Sequence, residues 1–354
     1  MTSPSHARRC RCEPHAGAAG AGDGTVRAVT RRRARLTVRP SAGPAAAGSG
    51  APPRGRSPAA GADRTAALAV LAAAVVWGTT GTAATFAPPG TRGLAVGAAG
   101  MGGGGLLLLA GAAVPAGRLL IDRRHRSALL AGAACVVVYP LAFYSAMAEA
   151  GVALGVCVTI GSAPVAAALL ERALTGRRLS PRWLVAVAAA VAGAVLLAAG
   201  DPRSAHGGHP IAGAALSLLA GCCYAGYSVA AAGIMADGVH ARGVVPAMFG
   251  LAAGLLLPIS VAAGPGVWAA GRGLAVVGYL SVVPMAGGYL LFGWGLRRVP
   301  ASTATAVSLA EPVAAALLAD LVAGQALDPL GWLGVAVVAA AVPMLSAADG
   351  ATAA

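Results

Sequence analysis

The 354-residue sequence contains no lysine and has few charged residues of any kind. Only 11% of its residues are charged, whereas a soluble domain usually carries about 25%. So few charges cannot cover a folded surface with polar groups, and lipid is the better solvent for such a surface. Because 57% of the residues are hydrophobic and the mean hydropathy is +0.74, we predict an integral membrane protein.

Motifs of several functional classes are also missing. The sequence has no Walker-type Gly-Lys-Ser/Thr motif, which argues against an ATP-driven pump. It has no Cys/His spacing typical of zinc sites, and four of its histidines fall in predicted loops, so we expect no metal and no cofactor. No Ser/His/Asp or paired-acid arrangement indicates an enzyme, and we expect no catalytic residue. The loop histidines are His125, His206, His209 and His240.

Residues 1–62 have a composition of their own, rich in Arg, Pro, Ser, Gly and Ala and without apolar periodicity, which predicts a disordered tail. Residues 1–65 contain twelve Arg and three acids, so most of the net charge of +14 lies there. The run 31–35 is either a contact for anionic lipid or nucleic acid or simply a solvated segment. We expect no nucleic-acid partner, and no secretory signal because an apolar core is missing.

Ten apolar segments follow, each long enough to cross a bilayer. We expect an all-α membrane protein with ten transmembrane helices. The Gly-rich run 100–105 in the second segment is either a close-contact surface or a flexible point. The segments lie at 66–87, 93–114, 127–148, 151–170, 183–200, 211–231, 243–263, 273–295, 301–321 and 330–347.

The arginines of the loops predict the orientation. With the N-terminus in the cytoplasm, the inner loops hold eleven Arg and the outer loops hold three, which are Arg92, Arg203 and Arg272. Because cytoplasmic loops carry the excess of basic residues, this count predicts cytoplasmic N- and C-termini in a bacterial cell membrane.

The sequence contains an internal repeat at an offset of 148 residues. Residues 163–170 read APVAAALL and residues 311–318 read EPVAAALL, and the same offset pairs Gly176 with Gly324 and Pro181 with Pro329. The repeat predicts two five-helix domains, at 66–200 and 211–347. Because five is an odd number, the second domain is inverted relative to the first, as in many secondary transporters whose substrate site lies near the bilayer midplane.

Glu311 is the strongest candidate for the chemistry, because it falls near the middle of the ninth segment. A charged acid at the bilayer centre costs about 2.5–3.5 kcal/mol on insertion scales. Glu311 should therefore face a polar cavity, find a partner or stay protonated. The functional interpretation is a proton-coupling or substrate-amine site, and the alternative is a structural acid that hydrogen-bonds a neighbouring helix.

Other candidates could form the rest of a transport site. Pro164 and Pro312 occupy equivalent repeat positions and predict either helix breaks with a hinge role or static kinks. Aromatic and hydroxyl side chains deep in the spans could line a cavity that holds an organic cation or amine, with an interfacial aromatic belt as the alternative. The belt interpretation is favoured for Tyr144 and Trp294, near span ends. The cavity candidates are Trp77, Thr79, Thr80, Tyr227 and Tyr289.

Several of these pieces resemble EamA-type transporters of the drug/metabolite transporter superfamily, which have ten helices in two five-helix repeats. Where family members often carry Leu-Gly-Glu, this chain has Thr-Gly-Arg at 175–177 and Ala-Gly-Gln at 323–325, and Met101 lies where an Arg is frequent. These departures leave the substrate class open. The matching pieces are Trp77-Gly78-Thr79-Thr80-Gly81, Phe143-Tyr144-Ser145-Ala146, Gly151-Val152-Ala153, Gly161-Ser162-Ala163-Pro164-Val165 and Leu309-Ala310-Glu311-Pro312-Val313.

Together these features predict a secondary carrier of the lipid bilayer that exports a small organic solute, an amino acid or related metabolite, by alternating access. Proton exchange through Glu311 is the simplest driving mechanism. The alternatives are efflux of toxic cationic compounds and, from another class, a sensor or scaffold that does not transport and uses the basic tail as its output. The oligomeric state stays open, with a homodimer among the options.

Overall fold

The computed structural model describes residues 60–176, 179–199, 209–269, 271–323 and 328–348. Most of the predicted tail lies outside the described residues, although the first helix begins at Ala60, before the predicted boundary. The described chain is helical and contains no strand. Ten long apolar helices are numbered α1 to α10: Ala60–Ala84, Gly93–Gly111, Arg126–Ala150, Val152–Thr175, Pro181–Ala199, Pro210–Ala236, Ala241–Ala263, Gly271–Gly295, the interrupted Ala301–Val307 with Ala310–Ala323, and Pro329–Ala348.

The ten helices follow the ten predicted segments closely. Eight of those in the described chain are long and apolar enough to cross a membrane, and α5 and α10 are shorter apolar helices. Large apolar side chains such as Leu68, Leu169 and Leu255 remain exposed on the outside of the bundle. A surface of this kind is suited to hydrocarbon, so the prediction of a ten-helix membrane protein is confirmed. Two short helices that the sequence did not predict, Ala113–Ile121 and Gly266–Ala269, lie in connections.

Equivalent helices of the two halves run in opposite directions. In the pair α2 and α7, Gly102 packs against Leu257, whereas Gly105, about one turn later in α2, packs against Phe249, about two turns earlier in α7. An antiparallel pairing of equivalent helices is what an inverted repeat requires, so the predicted architecture is confirmed. The pairs α5–α10 and α4–α9 are also antiparallel, through Gly193 with Val338 and Gly334 with Leu197, and through Ile160 with Leu309 and Glu171 with Ser302.

The two halves interlock along their length. Helix α3 packs on α6 and, in the equivalent pairing, α8 packs on α1. Likewise α4 packs on α6, and α9 packs on α1. These contacts between the halves therefore have counterparts when the halves are exchanged. The interior of the protein is largely an interface between repeats, which is where an inverted-repeat transporter places its substrate.

The Gly-rich run of α2 is a close-contact surface, the first of the two alternatives that the sequence allowed. Helix α2 continues regularly through it, and the four glycines at 102–105 pack in turn against Leu257, Ser281, Met285 and the Phe249 backbone. Small residues allow helices to approach closely in a membrane, where packing rather than exclusion from water drives association. This surface brings α2 against both α7 and α8.

Two of the helices of the second half are irregular. In α8, residues Ser281–Gly287 form a π-helical turn that contains Pro284. Helix α9 is interrupted at Ser308 and Leu309, because Pro312 has no N–H to donate to the Ser308 carbonyl and its ring crowds that oxygen. The Ser308 carbonyl accepts a hydrogen bond from the Glu311 backbone instead, at 2.9 Å. In contrast, α4 runs unbroken through Pro164, so the helix break predicted at both prolines is found only at Pro312.

A charged cluster joins the loop after the second span to the loop after the sixth. The ring nitrogens of His125 lie 2.7 Å from a carboxylate oxygen of Asp122 and 3.1 Å from one of Asp237. Arg124 lies 3.4 Å from the same Asp237 oxygen and donates its backbone N–H to Asp122. The hydrogen bond from His125, followed by that from the Arg124 backbone, lowers the pKa of Asp122 below its usual value.

Candidate substrate site

Most of the aromatic residues form one connected cluster between the repeats. The chain has five Trp, six Tyr and four Phe, and nine of these fifteen side chains make ring contacts with centroids 4.2 to 6.5 Å apart. An aromatic belt would instead place its rings around the outside of the bundle. The members of this aromatic cluster come from α1, α3, α6, α7 and α8: Trp77, Tyr139, Phe143, Tyr144, Tyr224, Tyr227, Phe249, Tyr289 and Phe292.

Trp77 joins the first repeat to the irregular turn of α8. Its indole N–H donates a hydrogen bond of 2.9 Å to the Pro284 carbonyl. In a regular α-helix the Gly288 N–H would donate to this carbonyl. In the π-helical turn it donates instead to the carbonyls of Met285 and Val283, so the Pro284 carbonyl is free to accept from Trp77. The indole also lies where a side chain on Gly288 would be, so only glycine allows this approach. The π-helical turn therefore positions Trp77, whose ring lies 4.9 Å from that of Tyr289.

Tyr227 and Tyr289 lie side by side in the same cluster, and both are buried. Their hydroxyl oxygens are 3.5 Å apart, which is longer than an ordinary O–H···O hydrogen bond. Each hydroxyl therefore keeps most of its capacity to bond a third group. Tyr224, beside them, donates a 2.7 Å hydrogen bond to the Ser308 hydroxyl at the interruption of α9.

Glu311 lies in the first turn of the second part of α9. Its backbone carbonyl packs against Gly78 of α1, next to Trp77, and Ser308, three residues before it, binds Tyr224 of the aromatic cluster. No described residue forms an ion pair with its carboxylate. The N-terminus of a helix favours negative charge, and interrupted membrane helices commonly place such an end at a substrate.

The two threonines next to Trp77 have different surroundings. Thr79 donates to the Val76 carbonyl at 2.7 Å and accepts from the Tyr279 hydroxyl at 2.9 Å, outside the aromatic cluster. It lines a separate cavity of about 440 Å³ with Arg272 and Leu318. The hydroxyl of Thr80 is buried and has no hydrogen-bond partner among the residues that the structure describes. The structure thus brings Trp77, Tyr227, Tyr289 and Glu311 together and places Thr79 apart.

Sequence reasoning missed several members of the cluster. Phe249 and Phe292 were not candidates, because a phenylalanine in an apolar span carries no signal of its own. The ring of Tyr144 packs over Gly97 of α2 and contacts Phe143, neighbours that the sequence did not predict. Trp294 is partly exposed near the end of α8, with the Arg298 guanidinium 4.5 Å from its ring centroid.

Ten apolar helices interlocked as an inverted repeat define a multi-pass membrane transporter. The chain belongs to the EamA-like transporter family, whose model matches it twice, at residues 64–199 and 211–347. This finding confirms the resemblance to the drug/metabolite transporter superfamily, which includes EamA proteins.

Two relatives are consistent with this assignment. The chain is 34% identical over 281 residues to the uncharacterized transporter YwfM of Bacillus subtilis (strain 168), an alignment that covers 79% of this chain and 93% of that protein. A protein of known crystal structure shares the fold, with a TM-score of 0.68 and 21% identity over 79% of this chain and 96% of that one.

Proposed function

We propose that the protein is a secondary carrier of the bacterial cytoplasmic membrane that exports a small organic solute with an amino group, such as an amino acid or a related metabolite. The observation that carries the proposal is the placement of Glu311. Glu311 lies in the first turn of a helix that restarts at a proline-induced break, three residues after Ser308, which binds Tyr224 of the aromatic cluster, and its backbone packs against Gly78, next to Trp77. One carboxylate in an aromatic environment is suited to an ammonium group, which the ring faces attract within about 6 Å.

Exchange of the solute for a proton follows from the same carboxylate. An unpaired charge in the bilayer is costly, so the carboxylate needs either a proton or the ammonium group of the solute. The two compete for one site. A proton arriving from the outside displaces the solute there, and an amine arriving from the inside displaces the proton. Movement of the loaded site between the two sides then couples export to the proton gradient.

Alternating access uses the interlocked repeats. The packing of α4 on α6 and that of α9 on α1 are counterparts, so closing one and opening the other interconverts two related arrangements. Pro312, beside the interruption of α9, is the proposed hinge of the second repeat, and Pro164 is its counterpart in the unbroken α4. The arginine-rich loops face the cytoplasm, which places both termini inside.

Efflux of cationic compounds is the second candidate. Glu311 is the acid next to the aromatic cluster. Among the described residues, no Arg or His contacts the rings of the cluster or forms an ion pair with Glu311. A zwitterion would leave its carboxylate without a basic partner there, whereas an organic cation would need only Glu311 and the ring faces. Within either candidate, this charge balance favours an amine without a carboxylate over a zwitterion.

A comparison of extracellular metabolites tests the proposal. Cells overexpressing the wild type, Glu311→Gln or the control Asp320→Asn, an equivalent change in the same helix, are matched for membrane protein level. We expect a defined solute to accumulate outside with the wild type and the control but not with Glu311→Gln. Solute export at the wild-type level by Glu311→Gln would contradict the proposal.

Three further measurements test the coupling and the alternative functions. Collapse of the pH gradient should stop export by the wild type, whereas electroneutral flux without pH dependence would exclude proton coupling. Glu311-dependent resistance to cationic compounds, without a change in extracellular metabolites, would favour the second candidate. Deletion of residues 1–62 should leave transport intact, and loss of all function on deletion would instead favour a scaffold driven by the tail.

A further inference from the structure

A second large cavity opens at the end of the bundle that carries the arginine-rich loops. Its volume is about 650 Å³, and it lies between the start of α7, the end of α8 and the short helix Ala113–Ile121. We call it the basic cleft. It is separate from the 440 Å³ cavity beside Thr79 and touches the aromatic cluster only through Tyr289, at its inner end. Apart from Tyr289, none of its lining residues has a role in the transport mechanism above.

The mouth of the basic cleft is positively charged. The ionisable groups that line it, apart from the Tyr289 phenol, are His240, Arg242 and Arg297, and no acidic side chain is among its lining residues. At the same end of the bundle, Asp237 already contacts His125 and Arg124. In addition, α7 starts here with no side-chain cap on its free N–H groups, so the helix end adds to the positive potential.

The interior of the basic cleft is apolar and reaches deep into the membrane region. Tyr289 precedes Arg297 by eight residues of a helical segment, a depth of about 12 Å at 1.5 Å per residue. Leu290 and Trp294 line one side and are partly exposed. The guanidinium of Arg298 stacks on Trp294 and supports that wall. The cleft is therefore basic at its mouth and apolar along this wall.

We propose that the basic cleft binds an anionic phospholipid. Arg242 and Arg297 hold the headgroup phosphate, since guanidinium groups match the geometry of phosphate oxygens, and His240 lies beside them. An acyl chain occupies the apolar part between α7 and α8 as far as Tyr289. A soluble phosphate shares the headgroup chemistry but leaves this apolar part empty, so the shape of the cleft favours the lipid. The proposal is independent of the transported solute.

Lipid binding to the purified full-length protein tests this inference. Native mass spectrometry measures the retention of phosphatidylglycerol and of phosphatidylcholine by the wild type, by Arg242→Gln/Arg297→Gln, and by the control Arg123→Gln/Arg126→Gln. The control removes the same charge from exposed arginines at the same end of the bundle. We expect preferential retention of phosphatidylglycerol by the wild type and the control, and binding weaker by about tenfold in the cleft variant.

Other outcomes overturn the proposal. Equal retention by the wild type and the cleft variant, or an equal loss in the control, would show that the basic cleft is not the site. Displacement of phosphatidylglycerol by millimolar inorganic phosphate alone would identify a site for a soluble anion. If the cleft variant does not fold, the thermal stability of the wild type decides, because the proposal requires stabilisation by phosphatidylglycerol vesicles but not by phosphatidylcholine vesicles or by inorganic phosphate.

Discussion

The hydrogen bond between Tyr224 and Ser308 predicts different losses of stability when one or the other hydroxyl is removed. The Tyr224 hydroxyl donates to the Ser308 oxygen at 2.7 Å, and Ser308 in turn donates to the Ala304 carbonyl at 3.0 Å. Both side chains are buried. The pair links α6 to the interruption of α9, three residues before Glu311. Removing either hydroxyl breaks the same bond, but the two variants leave different groups behind.

The expected losses of stability follow from those groups. In Tyr224→Phe, Ser308 keeps its bond to Ala304, so only one hydrogen bond is lost, at about 1 kcal/mol. In Ser308→Ala, the buried Tyr224 hydroxyl loses its acceptor, and an unsatisfied buried donor costs about 1–3 kcal/mol. We therefore expect Ser308→Ala to destabilise the protein more than Tyr224→Phe. The double variant should cost less than the sum of the two, because no orphaned hydroxyl remains.

Equilibrium unfolding of the purified protein in mixed micelles measures these differences. The two single variants and the double variant form a double-mutant cycle with the wild type. A loss in Tyr224→Phe equal to or greater than that in Ser308→Ala would refute the reasoning, as would additivity of the two losses. Solute export measured in parallel should fall more in Ser308→Ala, since that variant disturbs the segment that positions Glu311.

Three further predictions concern packing, the helix break and a loop. Gly97→Ala places a methyl group in the aromatic ring packed over it and should cost about 1–3 kcal/mol of unfolding free energy, whereas Gly111→Ala, in open space on the same helix, should be neutral or slightly stabilising in the same assay. Pro312→Ala restores a backbone donor beside the break and should reduce transport more than Pro164→Ala; equal rates would contradict this. Because the folded-state pKa of Asp122 is lowered, its stabilising effect is present at neutral pH and is lost as the pH falls below about 4, so thermal unfolding of Asp122→Asn should converge with the wild type in acid.

The spans were predictable because long apolar segments and loop arginines carry the information locally. The two prolines show where local information ends. Residues 164–170 and 312–318 have the same sequence, yet only α9 is interrupted. The four residues before each proline differ, and read Ile-Gly-Ser-Ala at 160–163 but Ser-Leu-Ala-Glu at 308–311. Ser308 binds Tyr224 from another helix, a contact that the corresponding Ile160 cannot make. This contact joins distant segments, so no local pattern reports it.

The aromatic cluster shows the same limit. Glu311 stood out because a charge in an apolar span is costly wherever its neighbours lie. The position of Tyr144 near a span end favoured a lipid interface, and the sequence did not predict that its ring packs over Gly97 in another helix. Phe249 and Phe292 have roles only as neighbours of Trp77 and Tyr289. Residues with an intrinsic energetic cost can be found from sequence, whereas residues whose role is a contact need the structure.

The repeats share a scaffold but not a chemistry. At the repeat offset Glu311 corresponds to Ala163, which is fully buried in the core beside the unbroken stretch of α4. The symmetric packing of the helices allows two related arrangements of the two repeats. Glu311 is present in the second repeat only. Under the proposed exchange, a single carboxylate is sufficient, because a proton and an ammonium group cannot occupy it together. Because only one repeat carries an acid, the inward movement of a proton and the outward movement of the solute use the same carboxylate, and no second acid is needed to couple them.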